Sequence, residues 1–305
     1  MSGQRAIGVD VGGTKILAGV VGRDGDVARR ETASTEQGSQ AELLAQLDAI
    51  VQGLMDDDVA AVGFGLPSTI DQRAGRAVSS VHVPLADVDF RDRMADRIGL
   101  PVALDNDGNA AAIAEWQLGA GRGASHIVAL TLGTGIGGGL ILDGRPYRGS
   151  IGAGAELGHI VLDYGGVACG GGCTGHGHFE ALAAGSVADE AAVRRFGEGA
   201  DAARLVEEAL AGDEGALDDL KEIGHRLGAG IGSLVNIFNP ELVVVGGGFS
   251  RAREVILPAV LETLAVEALP PGRDLVRVVP AHFGPEAGMV GAALVGFEAL
   301  DAASA

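Results

Sequence analysis

The sequence predicts an α/β protein built from two related domains that face each other. Three observations predict it. At 305 residues with 47% hydrophobic side chains, the chain is long enough for two packed cores. Short apolar runs ending in glycine alternate with amphipathic helical patterns, the mark of a strand–helix architecture. A strand, a Gly/Thr turn and a second strand occur twice in the same order: VDVGGTKILAGVV at 9–21 lies over LTLGTGIGGGLIL at 130–142. Two glycine-rich turns from opposite domains are what a clamp on a polyphosphate tail requires.

Taken in order, residues 5–22 read as a hairpin, RAIGVD and ILAGVVG joined by VGGTK. Asp10, Gly12, Gly13, Thr14 and Lys15 form a small cradle there. Its freed backbone N–H groups can meet phosphate oxygens, although an ordinary glycine-rich hairpin turn has the same composition. A helix follows, opened by a capping box at Ser39 and Glu42. Its apolar stripe is Leu43, Leu44, Leu47, Ile50, Val51 and Leu54. VAAVGFGLP is a buried strand ending at Gly63, Gly65 and Pro67. Residues 87–99 read as a helix and PVALD at 101–105 as a strand.

DNDGNAAAIAEW then runs from a strand end into a helix. Asp107, at the start of that helix, is either a cap or a base, and the two roles can coexist. A carboxylate beside a positive helix terminus stays ionised, and Asn106 and Asn109 crowd the same turn. Gly119 to Gly123 reads as a connector, and HIVALTLGTGIGGGLIL opens the second unit. Later, Leu217, Leu220, Ile223, Leu227, Ile231, Leu234, Val235 and Phe238 mark a long helix ended by Asn239-Pro240. ELVVVGGGF is a strand and a third glycine turn. A helix at 251–268 carries Pro258, VRVVPAHF is a strand, and the last helix starts near Met289. His225 and His282 read as isolated structural or solvated histidines, and Trp116 as core.

Both cysteines and three of the seven histidines fall between Glu156 and Glu180. Cys169 and Cys173 are separated by three residues, which is metal-ligand spacing rather than that of a disulfide framework. With His159 and His178 a closed four-ligand site is available, and His176 competes for the fourth place.

The formal charge of −19 argues against nucleic acid, whose binders neutralise phosphates with Lys and Arg. Two cysteines in a chain of this size fit a reducing compartment. The start is polar, and the uncharged run from Ala124 to Leu142 is broken by glycines. No signal peptide and no membrane partner are expected, and the reading is cytoplasmic.

In order along the chain stand DVGGTK at 10–15, DNDGNAA at 105–111, LGTGIGGG at 132–139, GAELGH at 154–159, CGGGCTGHGHFE at 169–180 and VVVGGG at 243–248. Together they resemble the ROK family (repressors, open reading frames and sugar kinases), above all its glucokinases. The resemblance implies a two-lobed actin-like, RNase H-like (ASKHA) fold with an interdomain cleft. The small α/β domain would span 1–118, joined by the helix 289–305. The large domain would span 119–288 and hold the zinc-binding loop 159–178.

Carried over by position, the resemblance makes Asp107 the general base for phosphoryl transfer from ATP to a sugar hydroxyl. Gly65, Asn106, Asp107, Glu156, His159 and Glu180 would contact the sugar. Gly12, Gly13, Thr14, Lys15, Gly133, Thr134 and Gly135 would line the phosphates, Asp10 would help hold Mg²⁺, and Gly246, Gly247 and Gly248 would face the adenosine. The cofactors implied are ATP with Mg²⁺ and a structural Zn²⁺ on His159, Cys169, Cys173 and His178. The family's zinc motif usually reads CxCGxxGC. Here the first two cysteines are separated by three residues instead of one, Thr174 replaces a glycine, and His178 replaces the third cysteine.

The first functional reading is therefore an ATP-dependent glucokinase. N-acetylmannosamine, N-acetylglucosamine, fructose and allose are alternative acceptors, and polyphosphate an alternative donor. A sugar-responsive repressor would carry a helix-turn-helix segment before the first turn, whereas nine residues precede Asp10. A sugar-binding protein without catalysis fits poorly with Asp107 and the phosphate turns. A homodimer or homotetramer is implied.

Overall fold

In the computed structural model, which describes residues 4–303, two five-stranded sheets share one wiring diagram. The first is built from β1 (Arg5–Val11), β2 (Lys15–Gly22), β3 (Val27–Ser34), β4 (Val59–Leu66) and the later β8 (Val102–Asn106). Helix α1 (Gln40–Leu54) precedes β4. Between β4 and β8 come a small sheet of β5 (Thr69–Asp71), β6 (Arg76–Ser79) and β7 (Ala86–Val88), and helix α2 (Phe90–Ile98). Helix α3 (Asp107–Gln117) leaves β8 directly.

The second sheet starts with β9 (Ile127–Leu132), β10 (Ile136–Leu142) and β11 (Arg145–Pro146). The hairpin β12 (Ala168–Gly170) and β13 (Cys173–His176) follows, then helices α4 (Phe179–Ala183), α5 (Gly185–Phe196), α6 (Ala202–Leu210) and α7 (Glu214–Phe238). Next are β14 (Leu242–Gly247), α8 (Phe249–Glu267), α9 (Gly272–Leu275), β15 (Arg277–Pro280) and α10 (Ala287–Ala303).

The strand orders are β3-β2-β1-β4-β8 and β11-β10-β9-β14-β15. In each, an antiparallel meander supplies three strands and two parallel strands are added on the far side. The repeat seen between 9–21 and 130–142 is thus the central hairpin of each sheet. Parallel strands covered on both faces are apolar nearly throughout, as β4 and β14 are. The edge strand β3 is the opposite: exposed Arg29, Arg30 and Glu31 discourage further pairing. Its lack of an apolar pattern is why the sequence did not reveal it.

Most expected elements lie within a few residues of their predicted limits. The stripe of α1 is fully buried. Its N-cap is only half of the expected capping box: Ser39 Oγ accepts the Glu42 amide at 3.3 Å, and the Glu42 carboxylate returns to the Ser39 hydroxyl rather than to its backbone. The helix predicted for 87–99 begins at Phe90, because residues 86–88 pair as β7. Trp116 is only partly buried and donates its indole N–H to the Ala124 carbonyl at 3.1 Å. The last helix begins two residues earlier than Met289, and residues 304–305 lie outside the described part.

Helix α3 shows no apolar stripe because it is buried on every side. Ile113 and Ala114 pack with α10 against the first sheet, while Ala112 packs with Ile127, Ala129 and Val244 of the second. Its first residue, Asp107, is therefore held where the two sheets meet. Among the described residues no helix is long and apolar enough to cross a membrane.

Candidate active site

Asp10, Gly65, Asn106, Asp107 and Gly246 to Gly248 lie at the carboxyl ends of parallel strands, where α/β sheets present ligands. Asp10 on β1 pairs in register with Gly65 on β4, and Gly65 with Asp105 on β8. Asn106 and Asp107 follow immediately. A Cβ added at Gly65 would lie 3.7 Å from Asp10 Oδ1 and 3.6 Å from Asp107 Cα, so the glycine sits between the Asp10 carboxylate and the backbone of Asp107.

The structure separates the two roles considered for Asp107. Asn106 is the N-cap: its Oδ1 accepts the amides of Gly108 at 2.9 Å and Asn109 at 3.3 Å. Asp107 occupies the first helical position with its Oδ1 accepting the Gly108 amide at 2.9 Å. Burial raises the Asp107 pKa, opposed by that backbone hydrogen bond and by the nearby His82. Asp10 is pushed up to about 7, chiefly by burial and then by the charge on Asp107. Asn109, grouped with them from sequence, turns away and donates to Asp105 at 3.1 Å.

The first glycine turn is pinned from outside. Gly12 N donates to the Lys15 carbonyl at 2.8 Å, Thr35 Oγ1 donates to the Gly12 carbonyl at 2.7 Å, and Gln37 donates to Gly13. Thr14 and Lys15 remain exposed. In the second turn Gly133 N donates to the Gly135 carbonyl at 3.0 Å, and the Gly133 carbonyl accepts Gly185 N at 2.8 Å where α5 starts. In the third, Gly248 N donates to the Leu132 carbonyl at 2.6 Å and α8 begins at the next residue. Gly247 takes φ +73°, a left-handed conformation that glycine adopts without steric cost. The second and third turns are neighbours, since Gly247 pairs with Leu132.

Glu180, the second residue of α4, reaches back to the second turn and accepts the Ile136 amide at 2.8 Å. Glu156 lies near Asp107 and Glu180. Burial raises its pKa, His159 opposes the rise, and both carboxylates add to it. Asp10, Asp107, Glu156 and Glu180 thus form one chain of neighbouring acidic groups, and Glu180 touches the end of the second glycine turn.

Sequence reasoning missed three participants. His82, exposed beside Gly13, is felt electrostatically by Asp107. Arg148 forms an ion pair of 2.6 Å with the fully buried Asp105. Glu115, also buried, accepts the amides of Ala120, His282 and Phe283 at 2.8–2.9 Å and ties together two distant chain segments. The first two are isolated residues in loops, with no local signal that could have marked them.

His159, Cys169, Cys173 and His178 each offer a ligand atom within 4.8 Å of the others. His176 is not among them. His159 Nδ1 lies 3.2 Å from His178 Nδ1, and each of these nitrogens lies 3.6 Å from one cysteine sulfur. A tetrahedral ion with bonds of about 2.0 Å to nitrogen and 2.3 Å to sulfur has N–N and N–S edges of about 3.3 and 3.5 Å. The set therefore fits a metal ion. Burial and the adjoining Cys173 push the Cys169 thiol up to about 12, which a cation would reverse.

With this geometry described, the relatives are informative. The chain is 36% identical to a glucokinase of Thermotoga maritima, covering 95% of this chain and 96% of that one. It superposes on a ROK family glucokinase from Streptomyces griseus, solved with glucose and AMPPNP, with a TM-score of 0.87 at 32% identity, covering 96% and 99% of the two chains. A ROK family transcriptional regulator, a homologue of the E. coli MLC protein, superposes at 0.89 with 26% identity, covering 98% of this chain and 79% of that one. Kinases and a regulator thus share the two-lobed actin/hexokinase/Hsp70-type fold, so the site and not the fold must separate them. Residues 6–297 match the ROK family, and the chain belongs to it.

Proposed function

We propose that the protein phosphorylates glucose at the expense of ATP, with Asp107 as the general base. The observation that carries this reading is a carboxylate at the first position of α3, where Asn106 supplies the N-cap, lying close enough to Asp10 at the end of β1 for the two charges to interact. Asp107 takes the proton of a sugar hydroxyl as its oxygen bonds to the γ-phosphorus. The bond from that phosphorus to the β,γ-bridging oxygen breaks, and ADP leaves. A pKa raised above the usual carboxylate range suits a base that must hold the proton through transfer. The rest of the work is positioning and charge stabilisation.

The Asn106 side-chain amide, Glu156, His159 and Glu180 hold sugar hydroxyls, and Gly65 leaves room for the ring. Carboxylates suit a polyol because each can accept from two hydroxyls. Gly12, Gly13, Thr14, Lys15, Gly133, Thr134 and Gly135 surround the phosphates, and Gly246, Gly247 and Gly248 the adenosine side. Asp10, a carboxylate without an ion pair among the described residues, suits water-mediated contact with Mg²⁺, which would neutralise phosphate charge. Zn²⁺ on His159, Cys169, Cys173 and His178 would fix the His159 wall, a structural task that needs no open coordination position. The lobes we assign are 1–118 with 289–305, and 119–288. A cytoplasmic homodimer or homotetramer completes the reading.

The test is ADP release measured across glucose, fructose and N-acetylhexosamines. Turnover highest with glucose and abolished in Asp107→Asn supports the reading. No stimulation by any sugar refutes it.

A further inference from the structure

Arg148 follows β11 on the second sheet, yet its guanidinium crosses to the first. Its Nε donates to Asp105 Oδ2 at 2.6 Å, and its second terminal nitrogen lies 3.4 Å from Glu298 Oε2 on α10. The Asp105 side chain has no exposed surface. Its other oxygen, Oδ1, accepts the Asn106 amide at 2.9 Å and the Asn109 side-chain amide at 3.1 Å. Asp105 thus grips the turn carrying Asn106 and Asp107 from beneath.

The backbone of the same arginine holds a second segment. Its carbonyl accepts Gly154 N at 3.0 Å, closing a loop that delivers Ala155, at φ +66°, and then Glu156. That loop is also tied to the first sheet: the Ile151 carbonyl accepts Gln72 N at 2.8 Å, and Gln72 Nε2 donates to the Leu104 carbonyl at 3.0 Å. One residue therefore links the base-bearing turn to the Glu156 loop. A buried carboxylate stripped of its cation is strongly unfavourable, so the Asp105 grip depends on Arg148.

We propose that Arg148 is a positioning residue for phosphoryl transfer, its side chain fixing the 106–109 turn through Asp105 while its carbonyl fixes the loop bearing Glu156. The base and the opposite acceptor are thereby held at one spacing. This rests on the roles given above to Asp107 and Glu156.

The test compares wild type with Arg148→Met, Arg148→Lys and the double variant Arg148→Met/Asp105→Asn. Amide hydrogen exchange is measured on the protein without substrate, and kcat and KM are measured for glucose and ATP. In Arg148→Met, exchange is about tenfold or more faster at 105–109 and 154–157, and unchanged in the central strands β1 and β9. A base displaced by an ångström lowers kcat about 100-fold, while the KM for ATP stays within about twofold. Adding Asp105→Asn removes the uncompensated charge but keeps an acceptor for Asn106 and Asn109. It slows exchange at 105–109 again and restores kcat at least in part. Arg148→Lys keeps the charge without the fork, gives the same local pattern at smaller size, and carries the test if Arg148→Met does not fold.

Unchanged exchange at 105–109, acceleration spread evenly through both sheets, or a double variant no better than Arg148→Met overturns the proposal. If wild type turns over no hexose, the kinase reading fails while the exchange data still decide the role of Arg148.

Discussion

Asp10 and Asp107 flank Gly65 closely enough that the charge on Asp107 helps to raise the Asp10 pKa to about 7. In an unfolded chain the same carboxyl titrates near 3.8. Between these values the folded protein binds the extra proton, so this group's contribution to stability is greatest below about pH 4. It is lost as pH rises toward about 7. The stability of wild type relative to Asp10→Asn should therefore fall with rising pH across that window, by at most about 4 kcal/mol. Urea titrations of the metal-free, nucleotide-free proteins at several pH values measure it. Parallel curves for the two proteins would show that Asp10 is ionised throughout.

Asp107→Asn should lower kcat by about 10²–10⁴ while changing the sugar KM only a few-fold, since the amide keeps the size and one acceptor. As the proposed base Asp107 would work only when ionised, and burial raises its pKa above the ordinary carboxylate range. In wild type the acidic limb of kcat/KM against pH should accordingly fall above that range, and it should be absent from the residual activity of the variant. A limb that survives in Asp107→Asn assigns the ionisation to another group.

Much of this site was legible before any coordinates because its residues sit in short runs with local chemistry. DVGGTK, LGTGIGGG and VVVGGG each place a turn directly after a strand, and the cysteine spacing marks a ligand loop. The repeated hairpin revealed that two sheets would match, but strand order depends on which distant segments pair, and no local pattern encodes that. Arg148 and Asp105 are 43 residues apart, and Glu115 meets Phe283 across 168, so their pairing is a product of the fold. The edge strand β3 was missed for a different reason: with neither face buried, selection for solubility removes the alternation that would identify it.

His178 is where the ligand loop departs from the family's cysteine pattern, and its Nδ1 lies within ligand distance of the other three while His176 stands apart. Metal analysis should find one zinc per chain in wild type and in His176→Ala, and its loss in His178→Ala and Cys173→Ser. Removing one ligand should also free the 159–178 segment, read as faster proteolysis there, and raise the KM for sugar through His159. Unchanged kinetics in a preparation verified to be metal-free would mean that the ion does not support the sugar wall.

Two glycines distinguish packing from ligand access. At Gly63, on β4, an added Cβ would overlap the Ala292 carbonyl of α10, and neither backbone can yield without parting the helix from the sheet. Gly63→Ala should cost about 3 kcal/mol or more of stability, at the upper end of overpacking effects. At Gly133 nothing lies within 4 Å of the same added atom and the residue is exposed. Gly133→Ala should leave the empty protein unharmed, or stabilise it by about 0.4–1 kcal/mol through the unfolded chain. If the turn lines the phosphates, that methyl occupies space they need, and the KM for ATP should rise about tenfold with the glucose KM little changed. Melting curves and steady-state kinetics on the two variants separate the cases. An unaltered ATP KM in Gly133→Ala would place the nucleotide phosphates away from the second turn.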